Sequence, residues 1–311
     1  MSEPDKLHIP VLLSEVLEAL SPKDGGVYVD GTFGAGGYAV AMLEAADCKV
    51  IGIDRDPSAI ALAADLKKKY GERLELINAR FSQMAEVVSS KVDGVALDLG
   101  VSSMQIDNAE RGFSFQKDGD LDMRMSGEGI TAADVVNTFS ETELADIIYK
   151  YGEERFSRRV AAAIVARRTD MLFTSTLDLA KVVSAVVPRA KDGIHPATRT
   201  FQALRIYVND ELDELQKGLV AGAALLKPSG RLAVVSFHSL EDGIVKTFMQ
   251  EKAGKMPAAS RYMPVQNEQP AQDFRLLNKK PLLPSDEEIR LNPRSHSAKL
   301  RVLERKGEAS K

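Results

Sequence analysis

Val27-Tyr28-Val29-Asp30-Gly31-Thr32-Phe33-Gly34-Ala35-Gly36-Gly37 is the stretch whose reading decides the fold. An apolar, β-branched run ends in a carboxylate and gives way to a loop with four glycines. Tyr38-Ala39-Val40-Ala41-Met42-Leu43-Glu44 then reads as a helix start. A strand that runs through a Gly-rich turn into a helix lets a nucleotide lie against backbone N–H groups, because glycine has no Cβ to hold it away. Gly34-x-Gly36-x-x-Ala39 fits the dinucleotide fingerprint and by itself leaves an NAD(P)-dependent oxidoreductase open. No Gly-Lys-Ser/Thr is present, which disfavours a P-loop.

Outward from this stretch, strands and helices alternate. Val11 to Leu20 carries helical apolar spacing after Pro10, and strands are expected at 27–29, 49–54, 74–78 and 92–100. Between them lie expected helices at 37–46 and 57–66, the latter opened by Pro57. This alternation builds a parallel sheet. It breaks from about 104 to 209, where helical periodicity dominates at 141–151, 155–168 and 175–187. So long a segment is not a loop. It is expected to be an inserted all-helical subdomain, 105–209, interrupting an α/β domain made of 1–104 and 210–311. A helix over 211–226, a turn at Leu226-Lys227-Pro228-Ser229-Gly230 and a strand at 231–237 resume the sheet. A loop is expected over 256–273 and an edge strand over 299–303.

With 44% hydrophobic and 28% charged residues in 311, the composition is that of an ordinary globular protein. The polar start Met1-Ser2-Glu3-Pro4-Asp5-Lys6 is unlike a signal peptide, and no apolar run is long enough for a bilayer, so no membrane partner is expected. A single cysteine, Cys48, excludes an intramolecular disulfide and fits a cytoplasmic location. The net charge of −4 conceals basic clusters at Arg155, Arg158, Arg159, Arg167 and Arg168, and in the tail from Arg290. These read either as solvated helix faces or as phosphate contacts. The four histidines lack metal-ligand spacing, so no metal is expected.

Open parallel sheets bind ligands beyond the carboxyl ends of their strands. The residues expected there are Asp30 with its glycines, Asp54, Phe81, Asp98, and Ser236-Phe237-His238. Asp54, twenty residues past Gly34, is placed to accept ribose hydroxyls or to cap the helix that Pro57 opens. Phe81 reads equally as an adenine platform or as core. Asp98 opens onto Gly100 and Ser102-Ser103, a setting in which strand-end carboxylates are more often functional than structural.

Several blocks together carry a family resemblance. They are His8-Ile9-Pro10-Val11-Leu12-Leu13, Asp30 through Gly37, Leu97-Asp98-Leu99-Gly100-Val101-Ser102-Ser103 and Glu110-Arg111-Gly112-Phe113-Ser114-Phe115. His195-Pro196-Ala197-Thr198-Arg199-Thr200-Phe201-Gln202 and Ser236-Phe237-His238-Ser239-Leu240-Glu241-Asp242 complete the set. The chain resembles the bacterial ribosomal RNA small-subunit methyltransferase H family, RsmH or MraW, along almost its whole length. The resemblance implies a Rossmann-like class I S-adenosylmethionine (SAM)-dependent methyltransferase fold. It implies transfer of a methyl group to the exocyclic N4 of a cytidine in the decoding region of 16S rRNA, within the small ribosomal subunit. Implied SAM contacts are Gly36, Gly37, Tyr38, Asp54, Phe81, Asp98 and Gln105, beside Asp30 and Gly34 of the opening stretch. Many members have His where this chain has Tyr38, which a backbone contact would survive.

Amine chemistry agrees with this resemblance. Methylation at C5 of a pyrimidine calls for a cysteine nucleophile, and Cys48 lies at the wrong edge of the sheet. An exocyclic amine instead needs acceptors for its N–H groups, and Asp98 could supply one. Asp98-Leu99-Gly100-Val101 lacks the aromatic of common amino-methyltransferase motifs, so Phe201 and Phe237 are candidates for stacking the base. His238 could touch base or phosphate, or serve only as a hydrogen-bonded strand end. Arg199 and Arg205 could meet phosphates, making the insertion an RNA lid. Two rivals remain: the oxidoreductase, which Asp30 argues against, and a SAM-binding RNA chaperone without activity. Whether the protein is a homodimer is left open.

Overall fold

The computed structural model of this chain describes residues 10–189, 193–255 and 273–307. His8 and Ile9, and nearly all of the loop expected over 256–273, lie outside these residues. The chain separates into two compact units, one from Met1–Gly100 and Leu212–Lys311, the other from Val101–Glu211.

In the first unit, helix α1 (Leu13–Leu20) precedes strand β1 (Val27–Asp30), helix α2 (Gly37–Ala45) and strand β2 (Lys49–Asp54). Helices α3 (Pro57–Leu62) and α4 (Ala64–Tyr70) lead to β3 (Leu74–Asn78), then α5 (Met84–Val87) leads to β4 (Val92–Asp98). One expected helix over 57–66 is therefore two, parted at Ala63, whose ψ of 5 breaks the helical run. Nothing in the residues around Ala63 explains the break.

The second unit is helical: α6 (Ser103–Asp107), α7 (Ala132–Thr138), α8 (Glu141–Gly152), α9 (Ser157–Arg168), α10 (Thr176–Val186) and α11 (Thr198–Asn209). Thr131, Ser140 and Ser175 cap α7, α8 and α10 through their side chains, satisfying amides that a helix start leaves without partners. Leu144, Ile148, Val160, Ile164, Leu179, Val183, Phe201 and Leu204 share its core. The buried Asn209 side chain donates to Met123 O at 2.7 Å and accepts from Met125 N at 2.8 Å, tying an irregular segment to α11.

The chain returns to the first unit through α12 (Glu211–Leu225) and β5 (Leu226–Ser236), followed by α13 (Ser239–Lys252), β6 (Phe274–Leu276), α14 (Asp286–Leu291) and β7 (Lys299–Arg305). The turn expected at 226–230 is a bulge inside β5. Val92 pairs with Leu226 and Gly94 with Arg231, so the extra residues loop out, with Ser229 at φ 64. The sheet order is β3-β2-β1-β4-β5-β7-β6, parallel through β5, with β7 antiparallel to both β5 and β6.

Side chains alternate across this sheet with period two. Tyr28, Val50, Ala96 and Val235 face one layer with Val16, Leu20 and Met42. Val29, Ile51, Val95, Leu97 and Val234 face the other with Leu215, Leu219, Val245 and Met249. Burial on both faces accounts for the continuous apolar runs in the sequence. The order turns at the β1–β4 pair, where a doubly wound sheet opens a crevice at its carboxyl edge. Asp30 and Asp98 end those two strands. Among the described residues no helix is long and apolar enough to cross a membrane.

Candidate active site at the carboxyl ends of the strands

Asp30 is 1% exposed and shapes the opening loop from within. Its carboxylate accepts from Thr32 N (3.3 Å) and from Ala39 N (3.2 Å), the latter in the first turn of α2. Burial is the main reason its pKa rises to about 7; the neighbouring Asp54 adds to the rise, while the two amide bonds oppose it. Asp54 grips the same loop, accepting from Gly34 N at 2.7 Å and from Asp56 N at 2.8 Å, and burial raises its pKa too. The cap of α3 is Asp56, which accepts from Ser58 N, so Asp54 keeps its place at the end of β2 facing the loop.

Gly36 takes φ 80, a left-handed conformation costly for any residue with a Cβ. A Cβ there would come 2.7 Å from the Phe33 ring, so the loop excludes it on its inner side. Gly36 and Gly37 head α2, where first-turn amides have no helical acceptor and the dipole is positive. Tyr38 is buried, and its hydroxyl donates to Val11 O, so its side chain ties α2 to the entry of α1. Only the Tyr38 backbone remains for a ligand.

At the end of β4, Asp98 N donates to Thr32 Oγ1 at 2.7 Å, joining the loop to the neighbouring strand. Asp98 retains some surface as a residue, but its Oδ1 is shut from solvent and has no hydrogen-bond partner. Burial pushes its pKa well up, helped by the charges of Asp30 and Glu241. An orphaned buried acceptor of this kind is a place for a water, an ion or a ligand to bind. Backbone donors at a helix start and three carboxyl groups whose pKa values burial raises suit a ligand with both polar oxygens and positive charge. SAM has that chemistry.

The other expected residues fall as follows. Phe81 lies half-buried against α12, so close that a Cβ on Gly218 would sit 2.3 Å from its ring. Phe237 is half-buried beside the core of the first unit. His238 stands at the N-cap of α13, with Nε2 3.1 Å from Glu241 Oε1. In the second unit, Gln105 is buried and accepts from Ser102 N in a capping box. Phe201 is 4% exposed and packed edge-on against Phe115. A ring enclosed in that core offers no open face, which corrects its expected stacking role. Arg205 is held in a bidentate pair with Glu211 at 2.8 and 2.9 Å, rather than extended toward phosphates.

Arg199 lines an open pocket of about 290 Å³ in the second unit, with Arg155, Phe156, His195 and Pro196 among its walls. Arg155, Arg158 and Arg159 are exposed, whereas Arg167 is paired with Asp178 and Arg168 donates to Val136 O. The basic run thus divides into a structural half and a solvent-facing half.

Sequence reasoning passed over Thr32, Gly218 and Glu241. Only Glu241 carried a readable signal: a carboxylate at the third helical position is placed to reach back to the cap.

A model of the MraW methylase family matches residues 5–306. The chain is 56% identical over 303 residues to "Ribosomal RNA small subunit methyltransferase H" of Paramagnetospirillum magneticum, covering 96% of this chain and 95% of that protein. It is 58% identical over 310 residues to the protein of the same name from Rhodopseudomonas palustris, covering 98% and 92%. Among solved structures, an rRNA methylase from Streptococcus thermophilus aligns at a TM-score of 0.39 and 12% identity, covering 94% and 95%.

Asp30 yields a prediction about pH. Its folded pKa of about 7 exceeds the ordinary 3.8, so the folded state holds the proton more tightly and this residue's contribution weakens as pH rises through that window. Relative to Asp30→Asn, the wild-type protein should lose stability on the order of a few kcal/mol between about pH 4 and pH 7, then level off. Chemical denaturation across pH 4 to 8 measures this. A pH-independent difference between the two proteins would contradict the buried, protonated carboxyl.

Proposed function

The chain belongs to the MraW methylase family, and on that premise we propose that it methylates the exocyclic N4 of a cytidine in the decoding region of 16S rRNA, with the small ribosomal subunit as substrate. The observation that carries the choice of an amine is Asp98 Oδ1, a buried acceptor without a partner at the switch point of the sheet. A nucleobase amine offers N–H donors of the kind this atom lacks.

SAM, the cofactor of this family, supplies a methyl group made electrophilic by its sulfonium. The chain's own residues hold and orient. The first-turn α2 amides after Gly36 present backbone donors to the methionine end, and Gly34 holds the loop in place through its bond to Asp54. Asp54 has acceptor capacity beyond its bonds to Gly34 and Asp56 for ribose hydroxyls, and the exposed side of Phe81 suits an adenine. Asp98 accepts from the target amine, easing the pyramidal geometry its lone pair needs for in-line attack. Phe237 is the stacking candidate that keeps exposed surface. In the second unit, Arg155 and Arg199 across one pocket offer cations to a backbone phosphate, and exposed Arg158 and Arg159 extend the basic surface.

Mass spectrometry of 16S rRNA nucleosides, after treating unmethylated small subunits with the protein and SAM, tests the reading. It requires a new N4-methylcytidine at one decoding-region position, and an unmodified RNA would favour a binding-only assembly factor. Asp98→Asn keeps the shape but turns one oxygen into a donor. Single-turnover transfer at saturating SAM and subunit should fall at least about a hundredfold, with SAM affinity far less affected. A near wild-type rate would remove Asp98 from the chemistry.

Neutralising Arg155, Arg158 and Arg159 together should weaken subunit binding and flatten its log–log salt dependence, by roughly 0.7–0.9 for each phosphate no longer neutralised. SAM affinity should not change. Unaltered binding at all salt concentrations would make the run a solvated helix face.

A further inference from the structure

Two buried acceptors stand without hydrogen-bond partners at neighbouring strand ends. One is Asp98 Oδ1, closing β4, and the other is His238 Nδ1, two residues past the end of β5. β4 and β5 pair in register up to Asp98 and Val235, and Leu99 N donates to Val235 O at 3.0 Å, so the two segments leave the sheet side by side. His238 and Glu241 stand at the head of α13, which follows β5 directly, so the pair leaves the sheet beside the end of β4. A primary amine on a nucleobase has two N–H donors, and an orphaned pair of acceptors is what such a group requires.

An imidazole nitrogen accepts only when its proton sits on the other nitrogen. Glu241 is 3% exposed, and one carboxylate oxygen, Oε2, accepts from Phe237 N at 2.8 Å and His238 N at 3.3 Å. Its other oxygen, Oε1, lies 3.1 Å from His238 Nε2, within ion-pair range. That contact is off the axis of an aligned hydrogen bond, so Nε2 has no formal partner either. A small turn about the broad χ2 torsion aligns it. A carboxylate at that distance selects the tautomer with the proton on Nε2 and leaves the lone pair on Nδ1.

Resting on the amine reading above, we propose that Glu241 is a positioning residue that fixes His238 as the Nε2–H tautomer, so that His238 Nδ1 and Asp98 Oδ1 together accept the two N–H groups of the target amine. The step balances simply. The amine nitrogen bonds to the methyl carbon as the carbon–sulfur bond breaks, its electron pair staying on sulfur. The surplus N–H proton passes to Nδ1, and the resulting imidazolium faces the Glu241 carboxylate.

Glu241→Gln separates positioning from mere packing. Two backbone amides at Oε2 hold the glutamine carbonyl there, which turns the NH₂ group toward Nε2 and forces Nε2 to accept. Nitrogen-15 NMR of the histidine-labelled full chain, without cofactor, should find Nε2 protonated in the wild type and Nδ1 protonated in E241Q. Single-turnover transfer to small subunits should fall at least about tenfold in E241Q, with SAM affinity by calorimetry within about twofold. An unchanged tautomer in E241Q, or a wild-type rate despite the flipped one, overturns the proposal. Should E241Q melt far below the wild type, the unsubstituted protein decides alone, because a proton on its Nδ1 overturns the assignment. Nucleoside mass spectrometry of the wild-type product keeps the two levels apart: a methyl group anywhere but on an exocyclic amine defeats the proposed function itself, whatever the tautomer.

Discussion

The structure depends on a buried carboxylate that folds the chain around itself. Asp30 ends β1 with almost no exposed surface, yet accepts an amide from the loop it begins and another from the helix that follows. Burying a carboxyl group is costly unless hydrogen bonds or protonation compensate, and here both do. The α2 dipole adds to this compensation. The strand, loop and helix therefore form one unit. Asp54 holds the loop from the β2 side through Gly34, and Thr32 joins it to Asp98 on the β4 side.

The same arrangement sets the electrostatics. Asp30, Asp54 and Asp98 end three adjacent strands, and burial raises the pKa of each. Their crowding disfavours full ionisation and creates a place where a cationic ligand is welcome. A sulfonium cofactor with an ammonium group supplies that charge. Glu241, buried at the head of α13, adds its charge to the rise at Asp98.

Side chains that seemed available in the sequence proved to be committed elsewhere. Tyr38 is anchored to Val11, Arg205 to Glu211, and Phe201 lies inside the helical core. Each lies in or beside a block that also contains site residues, so proximity in sequence suggested proximity in function. Helical periodicity shows that Phe201 lies on an apolar face, but it does not tell a core face from a ligand face. The turn read at 226–230 failed for a related reason. Lys227-Pro228-Ser229-Gly230 has turn chemistry, yet only pairing with Val92 and Gly94 shows that it is a bulge within a continuing strand.

Local chemistry was sufficient for the sheet and the carboxylates along its carboxyl edge. Apolar runs buried on both faces, carboxylates at strand ends and glycines in the first loop are consequences of nearest-neighbour sterics and hydrophobic burial, and they can be read from Val27 to Gly37 and again from Val92 to Gly100. The helical character of the insertion was legible for the same reason. What only the tertiary structure decided is which polar atoms remain unpaired. Asp98 Oδ1 and His238 Nδ1 come from segments far apart in the chain, and whether either has a partner depends on every side chain packed around it. Hydrogen-bond satisfaction is a property of the whole fold, whereas strand and helix formation depend largely on short stretches of chain.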